Sequence, residues 1–217
     1  MKNPSARLPP GLYALIDDSV RPERSVLDKA AAALEGGAKV LQLRMKATLT
    51  RAAIALTRQV VALCERTQAV CLVNDRVDWA LLARAHGVHV GEEDVPPADA
   101  RRLLGPKALV GVTTRNLEDI RRAHQAGADY VGLGPVFASS TKQMAAPPLG
   151  LVRLTALVAD SPLPVVAIAG IGLSNIAAVA ATGVHAAAVA SDLLDALDIA
   201  AKARELQRAF RAGQDVK

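Results

Sequence analysis

The chain has 217 residues, a length that one α/β barrel fills without division. Its 51% apolar and 22% charged residues exclude a disordered or collagen-like chain, and a 2% aromatic content, two Phe, two Tyr and one Trp, argues against a protein that stacks bases on aromatic platforms. The 26 basic residues exceed the 21 acidic ones but are scattered, which points to phosphate-binding residues gathered in one pocket rather than to a polyanion-binding face.

Taken in chain order, Met1 to Pro10 is polar and proline-containing with no apolar signal-peptide core. It reads as a flexible N-terminal segment of a cytoplasmic protein. Leu12 to Asp17 is the first candidate strand, and Ser25 followed three residues later by Asp28 marks a helix N-cap. Helices are expected to stop at Gly36 and Gly37, Gly87, Gly127 and Gly183.

The second strand, Val40 to Met45, alternates so that Gln42, Arg44 and Lys46 share one face and Leu43 and Met45 the other. Cations and an amide facing a barrel axis need partners, and an anion such as phosphate supplies them; the competing reading is surface basic residues at a strand end. Cys64 and Cys71 have no CxxC spacing and read as reduced packing residues. The third strand, Val70 to Asn74, runs into Asp75-Arg76; the fourth, Val88 to Gly91, runs into Glu92-Glu93-Asp94. Asp75 and Asp94 can share a hard cation such as Mg2+, which takes its other ligands from water and substrate phosphate. The competing reading makes Asp94 the cap of a helix starting near Pro96 and pairs Asp75 with Arg76.

Leu109 to Thr113 is the fifth strand, Asn116 a second N-cap, and Tyr130 to Gly134 the sixth strand. The segment Phe137 to Gly150, with Ser139, Ser140, Thr141 and Lys142, is the longest without periodicity. Loops of that kind commonly cover sites, and its hydroxyls and lysine suit a phosphate, as do those of Thr113 and Thr114. Ser161 to Ser191 lacks Asp, Glu, Lys and Arg, but its prolines and glycines fit a strand, a helix and a strand better than a membrane span. The seventh strand is Val165 to Ile171 and the eighth Ala186 to Ser191; Gly170-Ile171-Gly172 and Ala190-Ser191 end them where barrels bind phosphate through backbone amides. A last helix is expected from Leu193 to Arg211.

Eight strands alternating with helices, with polar residues after nearly every strand, predict a single (β/α)8 TIM barrel over residues 1–217, in preference to an open doubly wound sheet. No HExxH, GxSxG or complete GxGxxG occurs. His86 and His124 fall on predicted helices as surface residues; His89 either touches substrate or packs.

The segments Gln42-Leu43-Arg44-x-Lys46, Asn74-Asp75-Arg76-Val77-Asp78, Gly87-Val88-His89-Val90-Gly91-x-x-Asp94, Gly134-Pro135-Val136-Phe137 and Thr141-Lys142 resemble, in this order, the thiamine phosphate synthase (thiamine-phosphate pyrophosphorylase) family. The resemblance spans Tyr13 to Ser191. It implies a transferase of thiamine biosynthesis that joins a hydroxymethylpyrimidine diphosphate to a hydroxyethylthiazole phosphate and releases pyrophosphate. It implies that Gln42, Arg44, Lys46, Asn74 and Lys142 contact the diphosphate substrate, that Asp75 and Asp94 hold Mg2+, and that Thr113, Ser139, Thr141, Gly170 and Ser191, beside Ala190, receive the thiazole phosphate. Arg44, Lys46 and Lys142 would carry the catalytic charge. The partners implied are small phosphorylated molecules, neither nucleic acid nor membrane; a homo-oligomer is compatible with the sequence. Departures from the family pattern are Met45, Glu92, Ala138, Ser139, Ala169 and Asp192. A thiazole tautomerase of the same family and a non-catalytic phosphate-ligand binder are the competing readings.

Overall fold

The computed structural model describes residues 8–138 and 147–215. Among them, short Val-, Leu- and Ala-rich runs form eight parallel strands: β1 (Gly11–Asp17), β2 (Val40–Arg44), β3 (Val70–Asn74), β4 (Gly87–Val90), β5 (Leu109–Thr114), β6 (Tyr130–Leu133), β7 (Val165–Ala167) and β8 (Ala186–Val189). Each pairs with its successor, and β8 pairs with β1 through Gly11 opposite Ala186 to Ala14 opposite Val189, so the sheet closes. The expected TIM barrel is the fold.

Helices α1 (Val26–Glu35), α2 (Thr50–Thr67), α3 (Val77–Ala83), α4 (Pro97–Leu104), α5 (Leu117–Gln125), α6 (Gly150–Ala159) and α7 (Ile176–Ala181) connect consecutive strands. Ser25 caps α1 by accepting from the Asp28 amide at 3.0 Å, and Asn116 caps α5 by accepting from the Asp119 amide at 2.9 Å, as their spacing predicts. Two expectations are corrected. The last helix divides into α8 (Ser191–Leu194) and α9 (Ile199–Gln214), because Asp198 caps a fresh start by accepting from the Ala201 amide at 2.8 Å. Gly87 does not stop α3; it opens β4, and Arg84 at φ 56° makes the left-handed helix end. His86 consequently sits off the helix, half-buried, with Nδ1 accepting from the Cys71 amide at 3.0 Å.

Strand alternation divides the apolar residues into two cores. Leu12, Ala14 and Ile16 face outward under the helices, in one large cluster with Leu41, Leu43, Met45, Val73, Val131 and Leu206. Tyr13, Val40, Leu72, Leu109, Tyr130, Val166 and Ala186 fill the barrel itself, with Leu8 against them. Cys64 and Cys71 are free thiols in the outer core, and their mutual contact, with burial, holds the Cys71 thiol well above its ordinary pKa. No helix among the described residues is long and apolar enough to cross a membrane.

Candidate functional site

A cavity of about 430 Å³ opens at the C-terminal ends of the strands. Parallel strands put every inward-facing residue near a strand end at this one mouth, so Gln42 and Arg44 from β2, Asn74 from β3, Thr113 from β5 and the Gly170, Ala190 and Ser191 turns all line it. The candidates Ser139, Thr141 and Lys142 lie outside the described residues, as does most of the expected cover from Phe137 to Gly150.

The basic side is built from β1 and β2. Register places Asp17 beside Arg44, and Arg44 Nη1 donates to Asp17 Oδ2 at 2.6 Å. The Asp17 side chain is fully buried; its other oxygen accepts from Ser19 N at 2.8 Å and Ser19 Oγ at 2.6 Å. Lys29, itself buried, donates to the carbonyls of Asp17 at 3.1 Å and Val20 at 2.5 Å. Burial lowers the Lys29 pKa, against the pull of Asp17 and Asp18. The next acid, Asp18, accepts from the amides of Lys46, Ala47 and Thr48 at 3.0, 2.9 and 2.9 Å and from Thr48 Oγ1. Burial works against its ionised form, but these hydrogen bonds prevail and lower its pKa. Asp17 and Asp18 thus hold Arg44 and the Lys46 loop in place, a role that sequence reading missed.

The acidic side joins β3 and β4. Lys46 Nζ lies 2.5 Å from Asp75 Oδ2, and Asp75 sits at φ 62°, a conformation that Asp tolerates better than most residues. Asp94 Oδ2 accepts from the Gly91 amide at 2.8 Å. Its pKa is raised, first by burial and then by the Asp75 carboxyl within hydrogen-bonding reach. The helix-cap reading fails, since Pro96 precedes α4 with no side-chain cap. Asp75 does not pair with Arg76, which instead bonds Asp78 and lies 4.3 Å from the Trp79 ring centre. Among the described residues no group of three His, Cys, Asp or Glu could hold a metal ion. Two carboxylates facing each other, one resisting ionisation, fit a cation that takes its remaining ligands from elsewhere. Glu92 turns away to the rim, 3.4 Å from Arg115.

On the opposite wall, Ala169 and Gly170 both adopt left-handed backbone, at φ 72° and 70°. A Cβ at Gly170 would lie 2.5 Å from the Ala138 carbonyl oxygen, so that turn requires glycine. Ala169 lacks this freedom. Ala169→Gly is expected to raise unfolding stability by about 0.5–1 kcal/mol, the left-handed cost less the added unfolded-state entropy. Urea denaturation checks it, and an unchanged or lower midpoint counts against strain there. Two amides of the turn are already engaged: Gly172 N donates to Asn175 Oδ1 and Leu173 N to Asp192 Oδ2, each at 3.0 Å. Asp192 therefore reaches back onto the turn beside the expected phosphate.

The floor carries Tyr13, Tyr130 and His89, which sequence reading left out of the site or undecided. Both tyrosines are buried, with hydroxyls 2.9 Å apart. His89 is 7% exposed; Nδ1 lies 3.0 Å from Tyr130 Oη and Nε2 3.0 Å from Thr113 Oγ1. Burial drives its pKa down to about 4 against the attraction of Asp94, so the ring is neutral over the ordinary pH range. His89 thus packs within the barrel and also lines the cavity.

Comparison with known proteins agrees with this geometry. Residues 12–193 match the family profile described as thiamine monophosphate synthase. The chain is 62% identical over 207 residues to the thiamine-phosphate synthase of Myxococcus xanthus, covering 95% of each chain, and 48% identical to that of Anaeromyxobacter dehalogenans, covering 94% of this chain and 89% of the relative. Among solved structures, thiamine phosphate pyrophosphorylase from Pyrococcus furiosus superposes with a TM-score of 0.85 at 34% identity, over 94% of this chain and 96% of that one. A barrel whose strand ends bring cations, facing carboxylates and a glycine turn to one mouth, matched along nearly its whole length, belongs to the thiamine monophosphate synthase family.

Proposed function

We propose that this transferase joins a hydroxymethylpyrimidine diphosphate to a hydroxyethylthiazole phosphate, forming thiamine phosphate and pyrophosphate. The observation that carries the reading is the Lys46–Asp75 pair with the Asp94 carboxyl beside it, at the ends of adjacent strands, the first of which also carries Arg44. Such an arrangement suits a diphosphate and a divalent cation together, whereas a tautomerase acting on a thiazole phosphate has no use for the second carboxylate.

In this reading Gln42 and Asn74 orient the pyrimidine and its diphosphate. Arg44, held by Asp17 at one guanidinium nitrogen, offers its other donors to the leaving group, and Lys46 and Lys142 add charge where negative charge develops. Mg2+, held by Asp75 and Asp94, would supply further positive charge to the departing pyrophosphate. The bond from the pyrimidine methylene to oxygen breaks first, and the electron-rich aminopyrimidine carries the resulting cation until the thiazole nitrogen attacks. No protein nucleophile enters this sequence. Thr113, Ser139, Thr141, Gly170, Ala190 and Ser191 receive the thiazole phosphate. Multiply charged substrates do not cross bilayers unaided, so the reading places the protein in the cytoplasm, with no nucleic-acid or membrane partner.

The contact of Asp192 with the Leu173 amide favours a second reading, a binder of phosphorylated ligands without turnover. One assay separates the two: purified chain with both substrates, with and without Mg2+, analysed for thiamine phosphate. Mg2+-dependent product is expected. Folded protein that makes none under any condition defeats the synthase reading.

A further inference from the structure

Beneath the cavity one hydrogen-bonded chain crosses the barrel from β2 to β5. Gln42 Nε2 donates to Tyr13 Oη at 2.6 Å; the links continue from Tyr13 to Tyr130, His89 and Thr113 at 2.9, 3.0 and 3.0 Å. The first link has a fixed direction, and with each hydroxyl hydrogen kept within the chain the others follow from it. An amide nitrogen can only donate and each hydroxyl has one hydrogen, so Tyr13 accepts from Gln42. The other partner of Tyr13 among the described residues is Tyr130, and a Tyr13 hydrogen kept within the chain goes to it. Tyr130 in turn sends its own hydrogen to His89 Nδ1. That nitrogen then carries no proton, so the imidazole is neutral with its hydrogen on Nε2, and it donates to Thr113 Oγ1. The interior leaves room for this path: a Cβ at Gly111 would lie 2.0 Å from Tyr130 Cζ, and one at Gly132 3.0 Å from His89 Cε1.

We infer that Tyr13, Tyr130 and His89 are positioning residues that fix opposite polarities at the two ends of the chain. With its nitrogen bound below, the Gln42 amide turns its carbonyl oxygen to the cavity as an acceptor. Thr113, accepting from His89, turns its hydroxyl hydrogen outward as a donor. The specificity consequence rests on the reading that Gln42 meets the pyrimidine. An aminopyrimidine brings an N–H donor to the Gln42 oxygen, whereas its oxo counterpart brings a second acceptor and is repelled. The relay therefore selects amino over oxo pyrimidines, and the Thr113 end selects an acceptor such as a phosphate oxygen.

Ring-nitrogen NMR of His89 in the folded, ligand-free chain at neutral pH is the first test. Protonation at Nε2 with a bare Nδ1 is expected, and a hydrogen on Nδ1 overturns the relay. Gln42→Glu puts an acceptor-only carboxylate on Tyr13, which must then donate to it. Both tyrosine links reverse, and His89 is expected to switch its hydrogen to Nδ1; a folded variant that keeps the Nε2–H form overturns the coupling. Should that variant fail to fold, the wild-type tautomer still decides. Tyr13→Phe frees the Gln42 amide to rotate and is expected to lower the kcat/KM preference for the amino over the oxo pyrimidine diphosphate about 10-fold. An unchanged preference overturns the specificity role. The two readings fail separately: the expected tautomer without turnover sinks the synthase reading alone, and turnover with Nδ1–H sinks the relay alone.

Discussion

Asp75→Asn and Asp94→Asn are each expected to lower kcat/KM about 10²–10³-fold, the range for loss of one preorganised electrostatic element, with little change in the unfolding midpoint. Asn keeps the shape and tolerates the left-handed backbone at position 75, so the loss reports charge and not a broken turn. The Asp94 pKa is raised first by burial and then by the Asp75 carboxyl, and either variant removes that second influence together with a cation ligand. The diagnostic is the Mg2+ dependence: each variant should need more Mg2+ for half-maximal rate. Wild-type rates at limiting Mg2+ in both variants would remove Asp75 and Asp94 from the metal site.

Acid should destabilise the barrel through His89. Its folded pKa of about 4 lies below the ordinary value of 6.5, so the folded state favours the neutral ring. Above the ordinary value neither state binds the proton and this contribution is fully present. As the pH falls from there toward the folded value the unfolded chain takes the proton first, and stability drains away. Over the full window the loss is about 3 kcal/mol. Carboxylates also titrate in this range, so the measurement is a difference: urea unfolding of wild type and His89→Gln at several pH values. The wild-type curve should fall more steeply by that amount, and parallel curves would show that His89 carries no such linkage.

How much of this was legible in the sequence depended on the range of the interaction. Period-two alternation brought Gln42 and Arg44 to one face, and local spacing located the Ser25 and Asn116 caps, because each needs only a few neighbouring residues. Asp17 escaped notice because its contact with Arg44 follows from the register of β1 on β2, which no local pattern encodes. The Tyr13–Tyr130 pair is farther still, 117 residues apart in sequence, and an inward tyrosine has the same periodic signature as an inward leucine. The break between α8 and α9 was hidden for a related reason: Asp195 and Asp198 both suit helix surfaces, and the cap emerges where the chain turns back toward α7. At position 169 the missing glycine was readable, while the left-handed backbone that makes it matter was not.

The scarcity of aromatic residues has an optical corollary. Both tyrosines of the chain line the cavity, and its one tryptophan is buried beneath Arg76, next in sequence to Asp75. Tyrosine absorption therefore originates from the floor of the barrel, and the tryptophan signal from α3 in the outer core. Ligand occupancy can be followed on the unmodified protein through the tyrosine bands, which report the floor.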